Sequence, residues 1–411
     1  MTILISIVVL SGILYSFRLG ENLRYADEKQ YYTLAKNIVE RHQYSYDGEH
    51  STAYRPPGYP MILSLCIFLG AGTVYLRIMN FIALGLCMYL MNKILTEQSS
   101  PLAGTVGALL VVCYPVLFYT AGTLYPQIIG SLLFVIVIFL LTRKTCSYWS
   151  FVLGGLLFGY LVLTIPIFLF ILPVFAIWLC FSEGFVKVGR ILAIVAIACL
   201  PIVIWSARNY KVFNAFVLVS SNSGRNLLLG NSENTTPNTG VNVDISKYTA
   251  EADRLNLDEV GRDRYYRSKA IEFVLDQKIK AVKLYLQKTL NYFNYSNKLA
   301  TKGETSAAKD LLMLFTYGPL ILIFLSRIFL LKHFKPSQFE VLLVILYFSS
   351  ALFYAIFFTR IRFRLPFDFI LISVVAIFLN EVIQTWIVKH NTLPGHVRGD
   401  DRNRGPAGMR M

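Results

Sequence analysis

Apolar positions in this chain fall into long uninterrupted runs separated by short polar segments, with one extended polar stretch over about 207–309. A helix needs about 20 apolar residues to cross the hydrocarbon core of a bilayer, with about 17 as the lower limit. On that measure the runs predict spans near 2–18, 74–93, 102–121, 125–142, 149–165, 166–181, 190–206, 310–331, 338–358 and 366–388, several of them short. The run from Trp149 to Phe181 exceeds one crossing and carries Thr164-Ile165-Pro166 at its middle. Proline lacks the N–H that a helix interior needs, so two short helices joined by a tight turn are expected there. Residues 59–70 follow Pro56-Pro57-Gly58 and are too few to span; a juxtamembrane helix lying in the interface is expected. Ile3 to Phe17 has no basic leader and no small-residue cleavage site, and reads as a retained first span.

Basic residues mark the sides. Arg143, Lys144, Lys187, Arg327, Lys332, Lys335 and Lys389 fall in 94–101, 143–148, 182–189, 327–337 and the tail. Such loops stay cytoplasmic, which places 18–73 and 207–309 outside; Arg18 and Arg24, just after the first span, run against the rule. The expected organisation is an N-terminal transmembrane module over 1–206 with an external loop 18–73, a mostly helical external region 207–309 folding over that loop, C-terminal transmembrane helices over 310–389, and a disordered cytoplasmic tail 390–411. From Val260 to Phe293, Ile271, Val274, Leu275, Ile279, Val282, Leu286, Leu290 and Phe293 make one helical stripe opposite lysines, the pattern of a surface helix packed on the membrane.

Composition agrees with a polytopic helical membrane protein: 55% of residues are hydrophobic and 15% charged, outside the soluble globular range. The net charge of +15 sits between apolar runs, with no soluble module beside it. Anionic membrane lipids and phosphate are the expected partners, and nucleic acid is not. Cys66, Cys87, Cys113, Cys146, Cys180 and Cys199 lie in or beside apolar runs without metal-ligand spacing, and read as small apolar filler.

The chemistry-bearing residues gather between 25 and 60. Tyr25-Ala26-Asp27-Glu28 follows the first span, then Tyr31, Leu34, Ala35 and Ile38 give an apolar face at i, i+3, i+4 and i+7, and Tyr54-Arg55-Pro56-Pro57-Gly58-Tyr59 closes the loop. Neighbours on a helix project about 100° apart, so one acid faces outward while the other orients or caps. A helix N-cap or a solvated surface is the plain alternative for such a pair. A second cluster, Thr359-Arg360-Ile361-Arg362-Phe363-Arg364-Leu365-Pro366, breaks the charge bias at the outer start of the last span. Alternation is expected to put its guanidiniums on one side, suited to a bidentate phosphate grip; snorkelling to lipid headgroups is the alternative.

The order and spacing of 25–60 resemble the first external loop of family 39 GT-C glycosyltransferases, of the protein-mannosyltransferase and aminoarabinose-transferase type. Arg208-Asn209-Tyr210, Asn222-Ser223-Gly224-Arg225-Asn226 with Gly230-Asn231, Tyr114-Pro115 with Tyr119 to Pro126 as the next external turn, and the 360–366 arginines extend the similarity, while Ile165-Pro166 departs from the Arg-Pro often found there. The resemblance implies a GT-C fold with about ten transmembrane helices. It further implies an inverting enzyme taking a sugar from a polyprenyl-phosphate donor to a lipid, glycan or protein acceptor, on the outer face of a bacterial or archaeal plasma membrane. It implies Asp27 as catalytic base with Glu28 in the same motif, Arg55, Arg360, Arg362 and Arg364 on the donor phosphate, and Tyr54, Tyr59, Asn222, Arg225 and Asn226 against substrate. A phosphate leaving group departs without a proton, so one base and cations suffice and no cofactor is required. Asp47, Glu49 and His50 offer ligands for a divalent ion, although their clustering reads first as a polar turn. An O-antigen ligase or polymerase is the competing enzyme, and a lipid or solute transporter the competing class. A transporter calls for ionisable residues within its spans, and the predicted spans have almost none at their centres.

Overall fold

The computed structural model describes residues 1–143, 147–183, 188–238, 240–296 and 306–391. Lys144, Cys146, Lys187 and nearly all of the tail expected after His390 lie outside them. Among the described residues the chain is helical, with no strand and one isolated bridge between Ser45 and Ser51.

The first part comprises α1 (Thr2–Leu19), α2 (Ala26–Arg41), α3 (Gly58–Phe68), α4 (Thr73–Gln98), α5 (Pro101–Val112), α6 (Pro115–Ala121), α7 (Gln127–Leu141), α8 (Tyr148–Thr164) and α9 (Phe168–Glu183). Then follow α10 (Val188–Phe213), α11 (Ser223–Gly230), α12 (Ser246–Arg254), α13 (Glu259–Asp276), α14 (Lys278–Tyr292), α15 (Ala307–Phe329), α16 (Gln338–Ile356) and α17 (Ile361–Asn391). Helices α1, α4, α10, α15, α16 and α17 are long and apolar enough to cross a membrane, and α5 with α6 adds a bent seventh. The apolar helices α7, α8 and α9 coincide with expected spans but fall short of that length. Serines open several helices: the side chains of Ser100, Ser147, Ser306 and Ser337 accept from backbone N–H groups in the first turns of α5, α8, α15 and α16. Such caps satisfy donors that helix geometry leaves open.

Two expected breaks and three unexpected boundaries follow from local chemistry. Gly58–Phe68 forms the short separate helix α3, and Ile165, placed before Pro166, is extended between α8 and α9. The span expected over 102–121 is instead broken, α5 and α6 meeting at 64°. Pro115 has no N–H to continue α5, and Tyr114 before it leaves helical geometry at φ −113°, ψ 79°. The single helix expected from Val260 to Phe293 divides at Gln277 (φ −112°, ψ 46°) into α13 and α14. Helix α17 starts at Ile361 and runs through Pro366, so Arg362 and Arg364 lie on a helical turn, with Arg360 just ahead of it, and not on the extended segment that alternation implied.

Two buried arginines are paired with acids, as a low-dielectric interior favours. At the end of α15, Arg327 grips both carboxylate oxygens of Glu340 at 2.6 and 2.8 Å and donates to the Phe334 carbonyl, with Glu381 of α17 at 3.5 Å. Aromatic rings fill the centre, Phe168 standing 4.7 Å from Phe134 and 5.0 Å from Phe367. On α13 and α14 the apolar stripe is open: Ile279, Val282, Leu286 and Leu290 are all exposed.

Glycines 224 and 230 are required by close approach. A Cβ at Gly224 would lie 1.9 Å from the Asp263 carbonyl oxygen, and one at Gly230 would lie 1.8 Å from that of Phe357. Gly189, by contrast, has open space around it. Gly224→Ala is therefore expected to lower stability by about 1–3 kcal/mol or more, read as a fall in detergent-solubilised melting temperature, whereas Gly189→Ala should leave that temperature unchanged or slightly raised.

Candidate functional site

The site is built on the first turn of α2. Glu28 is fully buried, and every acceptor direction it uses meets backbone. One carboxylate oxygen accepts from the N–H groups of Arg24 at 2.6 Å and Tyr25 at 3.1 Å, closing back over the helix start. The other accepts from Leu124 N–H at 3.0 Å, which ties α2 to the turn between α6 and α7. Arg24 reinforces that tie by donating to the Gly122 carbonyl at 2.7 Å, and the hydroxyls of Tyr25 and Tyr119 meet beside it. Beneath, buried Arg77 of α4 donates to the carbonyls of Gly20 and Asn22. Glu28 is thus the orienting member of the acidic pair.

Asp27 points the other way. Its Oδ1 takes a hydrogen bond from Arg55 Nη2 at 2.5 Å, and its Oδ2 pairs with Arg362 Nη1 at 2.7 Å. Burial pushes the Asp27 carboxyl up, but the guanidiniums of Arg362 and Arg55 outweigh it and hold the group at about 2. Arg55 is fastened by Gln30, whose Oε1 accepts from Nε at 2.9 Å and Nη2 at 2.6 Å, and it lies over the Tyr31 and Tyr54 rings. Its carbonyl and that of Pro56 accept from the buried Tyr44 hydroxyl. Arg362 lies over the Tyr125 ring at 5.1 Å. All three charged side chains keep a solvent-facing edge: 20% of Asp27, 18% of Arg55 and 26% of Arg362 remains accessible.

The polar region between α10 and α15 closes on this loop through Glu259, the first residue of α13. Its carboxylate accepts from Thr52 Oγ1 at 2.6 Å, Ala53 N–H at 2.8 Å and Ser221 Oγ at 2.5 Å, and the Ala53 carbonyl accepts from Ser221 N–H at 2.9 Å. Arg225 reaches Tyr54, Nη1 donating to the hydroxyl at 3.1 Å. Asn222 and Asn226 shape the start of α11: the Asn222 carbonyl accepts from Asn226 N–H at 3.0 Å, and its side-chain oxygen accepts from Ser220. Tyr59 is fully buried, edge-on to Tyr31 with its hydroxyl on Asn80, so it supports the site from below.

The three arginines of the second cluster separate. Arg360 lies just ahead of α17, while Arg362 and Arg364, two apart on the helix, diverge by about 200°; only Arg362 meets Asp27. Arg364 is completely buried: it pairs with Asp368 at 3.0 Å, donates to the carbonyls of Tyr292 and Asn294 at 2.8 and 2.9 Å, and covers the Tyr317 ring. Asp368 in turn accepts from Tyr114 at 2.8 Å. Arg360 is buried beside Gly240. The common face expected of all three is not what the fold makes, because α17 begins earlier than its apolar run.

Three residues of the site stand apart from the residues expected to act in it. Gln30 and Tyr125 carry Arg55 and Arg362; Gln30 is signalled only by its place one helical turn after Asp27. Lys288 of α14 is buried and donates to the carbonyls of Gly230 and Phe357, each at 2.8 Å, and burial pushes its ammonium down to about 7. With Thr359 donating to the Lys288 carbonyl at 3.2 Å, it anchors the segment leading into Arg362. Asp47, Glu49 and His50 form a polar turn, Asp47 accepting from the N–H of Glu49 and from both the N–H and ring of His50. No three acidic, histidine or cysteine side chains converge as a metal cage among the described residues. A separate open groove of about 560 Å³ lies between α12, α13 and α14, lined by Glu233, Lys247, Tyr248 and Phe273 among others and by none of the residues around Asp27.

No protein family profile matches the chain, and no characterised protein matches it in sequence. Among solved structures it is similar to ArnT from Cupriavidus metallidurans bound to undecaprenyl phosphate, with 11% identity, a TM-score of 0.48 and coverage of 95% of this chain and 63% of that one. It is also similar to the apo state of that ArnT, with 12% identity, a TM-score of 0.42 and coverage of 92% and 77%. A third is the archaeal oligosaccharyltransferase AglB from Archaeoglobus fulgidus in complex with an inhibitory peptide and a dolichol-phosphate, with 13% identity, a TM-score of 0.46 and coverage of 96% and 52%. The chain thus spans less than two thirds of the first of these proteins.

Removing the Glu28 carboxylate strands backbone donors away from water, a loss of about 1–3 kcal/mol for each group left unpaired. Glu28→Ala is expected to lower the melting temperature markedly, and Glu28→Gln, which keeps one acceptor oxygen, by less; equal stability of both variants with the parent protein would contradict the anchoring role.

Proposed function

We propose that the chain is an inverting membrane glycosyltransferase that moves a sugar from a polyprenyl-phosphate carrier to a hydroxyl of a lipid, glycan or protein acceptor. One observation carries the reading: a carboxylate at the head of an amphipathic helix held between two accessible arginines, Arg55 and Arg362, drawn from opposite ends of the chain. Acid and cations beside one another are what a single displacement at a sugar phosphate calls for, a base for the incoming hydroxyl and positive charge for the departing phosphate. The resemblance of 25–60 to family 39 GT-C enzymes supports the same assignment. Asp27 is the base, Arg55 and Arg362 receive the phosphate, and Tyr54 with Arg225 lines the approach. Arg364 acts at a distance, through the buried Asp368 and the carbonyls that follow α14. The tail of the carrier lies among the apolar helices, and the site faces the outside of the plasma membrane.

Asp27→Asn keeps shape and loses the capacity to take a proton, so transfer from a labelled polyprenyl-phosphate sugar in nanodiscs should fall by about 10²–10⁴-fold with donor binding retained. Arg362→Ala should weaken donor binding by roughly tenfold to a hundredfold, the equivalent of one charge-assisted bond of about 1.5–3 kcal/mol. Arg362→Lys should recover part of that loss, since lysine lacks the planar fork. Normal turnover in Asp27→Asn would remove it as the base.

Sidedness has its own test. In a cysteine-free background, single cysteines at the exposed positions His50 and Ser246 should react in whole cells with a membrane-impermeant thiol reagent, and one at exposed Tyr148 should not. The reverse pattern would place the site in the cytoplasm.

A further inference from the structure

We propose that Arg55 and Arg362 hold Asp27 in a closed clamp that a phosphate group opens, so that the carboxylate becomes a base only once the donor phosphate is seated. This rests on the transferase reading and adds to it an order of events and a self-imposed restraint on the base.

The geometry is the starting point. Each oxygen of Asp27 is occupied by a different guanidinium, Oδ1 by Arg55 and Oδ2 by Arg362, leaving the carboxylate engaged by cations on both sides. The same two cations are the ones a phosphate would seek. They cannot serve both anions fully: Arg55 already divides its fork between Asp27 and Gln30, and Arg362 holds Asp27 through Nη1 while its buried Nε has no hydrogen-bond partner. That unsatisfied donor marks a guanidinium whose bonding is incomplete in the closed state, since buried N–H groups are normally paired. Both arginines keep an accessible edge from which a phosphate can approach. Arginine forks suit the planar, bidentate grip that phosphate oxygens offer.

Exchange of partners changes the acid. In the clamp, Asp27 is held at about 2 because the guanidiniums outweigh burial, and a carboxylate so stabilised is a weak base. Arg362 and Arg55 are the charged groups facing it; the Tyr31 hydroxyl, held up by burial, is the other titratable neighbour. When phosphate draws the two guanidiniums away, burial and the phosphate's own negative charge both raise the carboxyl. The step then balances as follows. The acceptor oxygen forms its bond to the anomeric carbon while its proton passes to Asp27. The bond from that carbon to the phosphate oxygen breaks, and the electron pair leaves on the polyprenyl phosphate, held by Arg55 and Arg362. As the lipid phosphate departs, Asp27 gives its proton to water and the clamp closes again. A carboxylate so guarded is poorly able to activate water or a stray hydroxyl while the donor is absent.

A carbodiimide couples only to a protonated carboxyl, so peptide mapping by mass spectrometry after labelling reads the state of Asp27 directly. The experiment uses the full chain in zwitterionic nanodiscs at about pH 6, with parallel samples receiving polyprenyl monophosphate, inorganic phosphate, phosphatidylglycerol or uncharged polyprenol. One pKa unit is tenfold in protonated fraction at fixed pH, so a rise past the ordinary carboxyl value should increase Asp27 labelling by roughly fiftyfold or more with polyprenyl phosphate and not with polyprenol. A rise with inorganic phosphate as well supports opening by the phosphate group itself; an equal rise with phosphatidylglycerol overturns selectivity for the carrier. Arg362→Gln and, separately, Arg55→Gln should raise labelling without any lipid, and unchanged labelling in both overturns the clamp. Polyprenyl phosphate that binds, by native mass spectrometry, without raising labelling overturns the opening step and leaves glycosyl transfer standing. A phosphate-dependent rise in a protein that transfers no sugar overturns the transferase reading and leaves the clamp in place.

Discussion

A buried carboxylate that must be satisfied by backbone decides where everything else in this site stands. The hydrogen-bond partners of Glu28 are the N–H groups of Arg24, Tyr25 and Leu124, with the Arg24 and Arg77 guanidiniums close enough to interact with its charge. Meeting them requires α2 to begin where it does and to lie against the turn at 122–126. Once that is set, the neighbouring residue on the helix is turned by about 100° into the opening, and Asp27 arrives between two arginines. A second carboxylate repeats the device: Glu259 gathers Thr52, Ala53 and Ser221, and so brings the polar region after α10 down onto the loop that carries Arg55. The loop is held from below and from above while Asp27 keeps an open edge.

Much of this was legible from residue pattern. The apolar runs located the long helices because hydrocarbon imposes a length that few other constraints mimic. The Thr164-Ile165-Pro166 break and the separate helix after Pro56-Pro57 followed from proline's missing donor. Asp27, Arg55 and Arg362 were each conspicuous, as charges set where a membrane protein has no ordinary use for them. What the pattern left open was which partner each charge would choose. Tyr114-Pro115 also breaks a helix; the resemblance set it at an external turn, whereas hydropathy ran one span across it, being blind to a turn whose residues are all apolar or aromatic.

The arginine triplet shows the physical limit of reading spacing without backbone geometry. Alternation suggests a shared face only if the segment is extended. Helix α17 starts ahead of its apolar run, just after Arg360, and on its first turn the other two side chains diverge, Arg362 outward to Asp27 and Arg364 inward to Asp368 and two carbonyls. One arginine meets the acid and another braces the fold, a division set by where the helix begins. Similarly, Gly224 and Gly230 answer to carbonyl oxygens on distant elements, a demand that no local turn preference encodes.

The exposed stripe on α14 has a mechanical implication. Ile279, Val282, Leu286 and Leu290 face outward from a helix whose other side inserts Lys288 into the carbonyls of Gly230 and Phe357. Apolar side chains left open in this way need a hydrocarbon or detergent surface against them. The helix therefore has an open apolar edge on one side and the approach to Arg362 on the other. A load placed on the apolar edge of this helix would be passed through Lys288 to the segment that leads into Arg362.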